Sequence, residues 1–254
     1  VWDISDLALP SAEATPEVTR PAVAATVKWS YDTPDAIWSL DSWGDGLSTG
    51  DLNDDGVSDV VFGTRGGYVI AVNGTNGKEL WSYQITAQTD TPVNADLVDV
   101  DDDGLLDVVA TGVGDSTSQG KAIICALEGN GTKKWQAQGD YEEAVDLAYG
   151  DIDGDGDTDV VASVGTYPWG GGQVILLDGA TGDRVWSQSL GSGHAQGVDA
   201  QDVDGDGDME IAVENYDNQV FLLDGTAGDI IWSRPKGYHG RDVIIEDVDN
   251  DGTF

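Results

Sequence analysis

Four times in full and a fifth time in part, the chain writes one nine-residue pattern, and no other feature restricts its folding as much. Oxygen-bearing side chains stand at positions 1, 3, 5 and 9, and a glycine at position 6 admits the sharp turn that such a loop requires. The copies read Asp51, Asn53, Asp55, Asp59; then Asp99, Asp101, Asp103, Asp107; then Asp151, Asp153, Asp155, Asp159; then Asp202, Asp204, Asp206, Glu210; and last Asp247, Asp249, Asp251, where the sequence stops. Successive copies start 45 to 52 residues apart. Self-similarity at that period means a repeat architecture, in which each unit buries its apolar face only against a neighbour.

Carboxylates on alternate positions make an oxygen cage of the kind hard Ca2+ prefers. The backbone carbonyl of position 7, from Val57, Leu105, Asp157 and Asp208, is expected to add a further oxygen. Four complete Ca2+ sites and a truncated fifth are therefore expected. The first should be the weakest complete site, because Asn53 replaces a carboxylate. An EF-hand does not fit, since it needs a bidentate glutamate at position 12, where this chain has Phe62, Ala110, Ala162 and Val213. Asp and Gly also form turns without metal, but five registered copies exceed what turn chemistry accounts for. Repetition in every unit assigns the cation to folding rather than catalysis, because four like charges clustered within a few ångströms are unfavourable without it.

Each repeat reads as four short strands. In the first, the run Leu47 to Leu52 leads into the loop and Asp59-Val-Val-Phe-Gly63 follows it. Tyr68-Val-Ile-Ala-Val72 then runs back, and Asn73-Gly74 opens a hairpin turn before Leu80 to Gln84. A repeated four-stranded meander of this size is the blade of a β-propeller. The fold class expected is all-β, a propeller of four-stranded antiparallel blades forming an incomplete part of a seven- or eight-bladed ring. Residues 1–25, rich in Ala, Pro, Thr and Ser, read as a linker or stalk. Residues 26–254 hold the repeats: a closing strand at 26–31, blades at about 47–87, 94–139, 145–190 and 196–236, and a partial blade at 241–254.

The segment Gly150-Asp-Ile-Asp-Gly-Asp-Gly-Asp-Thr-Asp-Val-Val161 resembles the FG-GAP and VCBS repeats of integrin-α-like calcium-binding propellers, and the resemblance covers roughly residues 26–254. Leu176-Leu-Asp-Gly-Ala-Thr-Gly-Asp-Arg-Val-Trp186 and Ala71-Val-Asn-Gly-Thr-Asn-Gly-Lys-Glu-Leu-Trp81 are similar to the tryptophan-docking repeats of quinone-dependent propellers. That second resemblance implies a blade geometry in which Trp packs between neighbours; it implies no cofactor. Gly193-His-Ala-Gln196 ahead of an acidic loop is similar to rhamnogalacturonan lyase propellers.

Charge narrows the partners. There are 48 acidic against 11 basic residues, for a formal charge of −37, and removing the 18 carboxylates at ligand positions leaves the acidic side still in large excess. Nucleic acid and anionic membranes both demand cationic surface and are not expected as partners. No run reaches the roughly 18 apolar residues of a membrane-spanning helix, so direct membrane insertion is not expected. No signal peptide opens the chain, and Val1 would follow a processed segment if the protein is exported. The single Cys125 sits in the apolar run Ala122–Leu127 and reads as a small core residue.

Chemistry outside the loops is sparse. His194 and His239, the only histidines, each stand eight residues before a loop aspartate, and Trp43 and Glu143 occupy the same register. Connections between blades often carry ligands, so Trp43, Glu143, His194 and His239 form a candidate ligand-binding ring. Trp169, in a Gly-rich loop, is a candidate stacking residue for a glycan. Asn73 and Asn130 head glycosylation sequons on turns that are expected to be exposed. No catalytic residue is assigned. The reading is an extracellular or cell-surface calcium-stabilised propeller that acts as a binding, adhesion or surface-structural module, its partner a protein, a glycan or a neighbouring surface subunit. The alternative is the propeller domain of a secreted polysaccharide lyase or other carbohydrate-active enzyme.

Overall fold

The computed structural model of the protein describes residues 27–37, 47–91, 93–115, 118–168, 170–237 and 242–247. Its strands form four sheets, each a four-stranded antiparallel meander in simple chain order. The first contains β1 (Leu47–Gly50), β2 (Asp59–Gly63), β3 (Tyr68–Val72) and β4 (Glu79–Gln84). The second contains β5 (Val93–Val98), β6 (Asp107–Gly112), β7 (Ile123–Leu127) and β8 (Lys133–Gln138). The third contains β9 (Glu143–Gly150), β10 (Asp159–Gly165), β11 (Gly172–Asp178) and β12 (Arg184–Gly191). The fourth contains β13 (Ala195–Gln201), β14 (Glu210–Asn215), β15 (Gln219–Asp224) and β16 (Ile230–Pro235). There is no helix among the described residues, so none is long and apolar enough to cross a membrane.

Period-two alternation places the core. Along β10, Val160, Ala162 and Val164 face the second sheet, while Val161 faces the fourth. Along β11 the same division gives Ile175 and Leu177 to one side and Val174 and Leu176 to the other. Side chains on a strand alternate between faces, so a strand buried on both sides must read as a continuous apolar run, as these do. The core is thus a series of layers between sheets, the packing that makes sheets into blades. Cys125 lies in the layer between the first and second sheets and is 1% exposed. Burial pushes its thiol up to about 12, which keeps it protonated and inert.

One hydrogen bond recurs at the joints between blades. The Nε1 of Trp29, Trp81, Trp135 and Trp186 donates to the carbonyl of Gly74, Gly129, Gly179 and Gly225 at 2.8, 2.8, 2.6 and 2.7 Å respectively. Each acceptor lies in the hairpin between the third and fourth strands of the following blade. A second glycine of that hairpin, Gly77, Gly131, Gly182 or Gly228, holds φ between 72° and 83°, and a Cβ there would meet the indole at 2.6 to 2.8 Å. The glycines after Asn76, Asn130, Thr181 and Ala227 therefore answer a steric demand made by the neighbouring tryptophan.

Residues 27–31, expected as a closing strand, form no strand ladder among the described residues. Their contact with the first blade is made by side chains: Trp29 donates to Gly74, and Tyr31 donates to Glu79 Oε2 at 2.6 Å. Residues 242–247 lie along β13, with the Ile245 amide donating to Asp199 Oδ2 at 2.7 Å. The proposed stalk at 1–25 lies outside the described residues.

Candidate functional site

The acidic loops join the first and second strands of each blade, and four of them share one internal architecture. The position-6 amides of Gly56, Gly104, Gly156 and Gly207 donate to the position-1 carboxylates of Asp51, Asp99, Asp151 and Asp202 at 2.8 to 3.1 Å. The position-7 amides of Val57, Leu105, Asp157 and Asp208 donate to the position-5 carboxylates of Asp55, Asp103, Asp155 and Asp206 at 2.8 to 3.0 Å. Position-2 amides donate inward to position 9: Leu52 to Asp59, Val100 to Asp107, Ile152 to Asp159 and Val203 to Glu210, at 3.0 to 3.4 Å. Each carboxylate spends part of its lone-pair capacity on the loop and keeps oxygens for a ligand.

Two left-handed residues shape the turn. Position 6 is glycine throughout, with φ from 81° to 102°; position 4 is Asp54 at 58°, Asp102 at 55°, Gly154 at 78° and Gly205 at 78°. Aspartate is among the few residues other than glycine that visit this region readily, so positions 53–55 and 101–103 turn without a second glycine.

The donors converge. Carboxylate oxygens of Asp99, Asp101 and Asp107 lie within 4.8 Å of one another, as do those of Asp151, Asp153 and Asp159, and of Asp202, Asp204 and Asp206. In the first loop Asn53 instead donates its Nδ2 to Asp59 Oδ2 at 2.9 Å, one carboxylate tied by an amide. Position 9 is the buried end of the cage: Asp59, Asp107, Asp159 and Glu210 are each under a tenth exposed. Burial pushes the Asp107 and Asp159 carboxyls up to about 6 and raises Asp153 and Glu210 as well, with neighbouring loop carboxylates adding to the rise. Clustered, partly desolvated carboxylates with no soft or nitrogen donor fit a hard divalent cation.

The second loop contains a cation of its own. Lys134 Nζ lies 2.5 Å from Asp101 Oδ2, 3.0 Å from Asp107 Oδ2 and 3.6 Å from Glu128 Oε1, its side chain only 8% exposed. Nothing in the local sequence around the loop announces it, because Lys134 is 27 residues from Asp107.

The loops also touch the joints between blades. Asp59 Oδ1 accepts the Gly74 amide at 2.9 Å, and Gly74 is the residue whose carbonyl receives Trp29. In the third and fourth blades the corresponding amides of Gly179 and Gly225 donate to the carbonyls of Thr158 and Met209, beside position 9.

At the opposite edge, the connections between blades bring Glu143 and His194 together at 3.3 Å. His194 is fully buried, so it faces the blade interface rather than solvent. Tyr167 covers it edge-on at 6.0 Å and stacks edge-on against Tyr216 at 5.3 Å. Trp43, His239, Trp169, Asp249 and Asp251 lie outside the described residues. The sequon residues differ from expectation. Asn130 is exposed, but Asn73 is 8% exposed. The Asn73 side chain donates to Asp55 and accepts the Thr75 and Asn76 amides. Turn-capping has drawn that asparagine inward.

The model for the FG-GAP-like repeat matches residues 51–110 and 151–213, stretches that begin at loop aspartates and end in the second strand of a later blade. The chain carries FG-GAP-like repeats over these two stretches. No curated protein matches it in sequence. Among solved structures the FG-GAP-like repeats are similar to BamB from Moraxella catarrhalis, with a TM-score of 0.55 at 17% identity over 86% of this chain and 58% of that one. A europium-containing methanol dehydrogenase gives 0.51 at 14% over 76% and 41%. A rhamnogalacturonan lyase from Bacillus licheniformis gives 0.49 at 15% over 78% and 51%. The chain therefore spans a little over half the length of BamB, and the first two likenesses bear on the fold alone, agreeing with a propeller.

Proposed function

We propose that this FG-GAP-like repeat chain is a calcium-stabilised propeller segment of an extracellular or cell-surface protein, serving as a binding, adhesion or surface-structural module. One observation carries the reading. In the first blade the buried position-9 carboxylate of the cage, Asp59, also holds the Gly74 amide, and the Gly74 carbonyl holds Trp29. A cation drawn into the loop fixes Asp59, Asp59 fixes the hairpin, and the hairpin fixes the adjoining segment. A metal placed at that joint is a fastener, and its binding free energy becomes folding free energy.

Calcium suits the site on several counts. The donors are oxygens only, and the position-7 backbone is within the turn. Two of the four position-7 residues are exposed aliphatics, Leu105 at 54% and Val57 at 37%, which supports a role for the backbone there rather than the side chain. Extracellular modules operate with calcium affinities of about 0.1 to 1 mM, where supply outside cells is sufficient. The acidic surface keeps such a protein dispersed in a calcium-rich medium. The ligand face lies at the opposite edge, on the connections that carry Glu143, Tyr167 and Tyr216, and its partner is a protein, a glycan or a neighbouring surface subunit. Binding panels of glycans and surface proteins, run with calcium and with chelator, test this. Calcium-dependent capture without turnover is expected, and polysaccharide cleavage would contradict a purely binding role.

A further inference from the structure

Every described blade carries the same irregularity in its last strand pair. Ala71 pairs with Trp81 and Val72 with Glu79, so Leu80 is the extra residue of a β-bulge. By the same shift Lys134 is extra in the second blade, Val185 in the third and Ile231 in the fourth. A bulge re-aims the side chain it inserts. Three of these four residues are aliphatic and at least 37% exposed. The fourth is a lysine directed into the acidic loop of its own blade, with Asp101, Asp107 and Glu128 around its ammonium.

We infer that Lys134 is the resident cation of the second loop, a covalently attached substitute that holds the cage together without metal and competes with calcium for it. The inference rests on the calcium reading of the remaining loops and separates one loop from them. Lys134 approaches positions 3 and 9, two of the four side chains a calcium ion would need. An ammonium offers three donors to carboxylates, so it satisfies the same oxygens that a divalent ion would coordinate. To admit calcium, the loop must expel a largely buried charge or carry both cations within a few ångströms, where repulsion is substantial even at an effective dielectric near 20.

The second loop, which in sequence has a full set of four carboxylates, is thus weaker for calcium than the third and fourth. The pair of residues that decides this is the bulge residue and the first residue of the hairpin. In the third blade these are Val185 and Asp178, a combination that leaves the cage anionic. In the second they are Lys134 and Glu128. The second blade keeps its shape when calcium is scarce, and the third and fourth depend on the ion.

The test is calorimetric titration of the full chain with calcium chloride, alongside Lys134→Met and the converse Val185→Lys. Lys134→Met keeps the apolar stem and is expected to add one tight calcium equivalent, or to tighten one class of site by about tenfold or more. Val185→Lys, at an exposed position, is expected to remove one. Far-ultraviolet dichroism at saturating calcium establishes that each variant is folded; if Lys134→Met is not, Val185→Lys decides alone. Stoichiometry and affinity equal to the parent in the folded variants overturn the inference. No calcium uptake by the parent chain overturns it together with the calcium reading itself, an outcome distinguishable because all three proteins would then be silent.

Discussion

Asp102 of the second loop holds Thr158 of the third: its two carboxylate oxygens accept the Thr158 amide and the Thr158 hydroxyl, each at 3.0 Å. Thr158 stands immediately before the buried cage residue Asp159, and Asp102 stands between the cage residues Asp101 and Asp103. Two acidic loops in neighbouring blades are therefore joined by one side chain, and the ordering of one biases the other. Asp102→Ala removes both bonds and leaves a left-handed backbone without aspartate, at a cost of about 2 kcal/mol; Asp102→Asn keeps an acceptor and costs about 1 kcal/mol or less. Urea unfolding midpoints check the order of the two variants. The third loop of Asp102→Ala should also bind calcium more weakly than in the parent, because the second loop, held by Lys134, no longer orders Thr158 beside Asp159.

The hairpin glycines give a second expectation. Gly182 has φ of 73°, and a Cβ on it would meet the Trp135 indole at 2.6 Å. Gly182→Ala must strain the backbone and displace the ring, and is expected to cost about 2 to 4 kcal/mol. Trp135→Phe, which leaves the Gly179 carbonyl without its donor, should cost about 1 to 3 kcal/mol. The same glycine-to-alanine change at Gly191, where φ is 91° and no atom lies within 4 Å, carries only the backbone part. Thermal melts of the three variants should rank Gly182→Ala below Gly191→Ala.

Asp146 supplies a pH dependence away from the metal loops. Its carboxylate accepts the Val198 amide at 3.0 Å across the third and fourth blades. Burial first, then the charges of Asp242 and Asp96, push its carboxyl up to about 6. A raised carboxyl binds its proton more tightly in the folded state than in the unfolded one. Its stabilising contribution is complete below the ordinary value of about 4 and is lost as pH rises through 6. Asp146→Asn, which can still accept the Val198 amide, removes that loss. At saturating calcium the melting temperature of the variant relative to the parent should rise between pH 4.5 and 7. A difference that is independent of pH would contradict the assignment.

Much of this was legible in the sequence because it is local. The spacing of Asp151, Asp153, Asp155 and Asp159 encodes the loop. Alternation along Val160-Val161-Ala162 encodes a strand buried on both faces, and Gly182 and Trp186 mark the hairpin and the last strand. Features that arise from contacts between distant segments were not legible. Lys134 enters the second cage only because a bulge re-aims it, and the Asp102–Thr158 link spans 56 residues. Position 4 carries a left-handed demand too, one that aspartate meets in two of four loops, and those aspartates read like ligands. His194, expected on a ligand-binding ring, is buried against Glu143, since equal spacing from the loops fixes where a residue sits along the chain but not the depth of its side chain. Asn73 is withdrawn for a related reason: the turn that announces a sequon also uses the asparagine as its cap.

The central claim is that the loops are calcium fasteners between blades, and scanning calorimetry of the chain with calcium and with a calcium chelator tests it most directly. Each filled site adds about 2.7 kcal/mol at a free calcium concentration one hundred times its dissociation constant. The melting temperature should therefore fall by many degrees in chelator and recover when calcium is restored. Identical melting curves in chelator and in calcium would contradict the account.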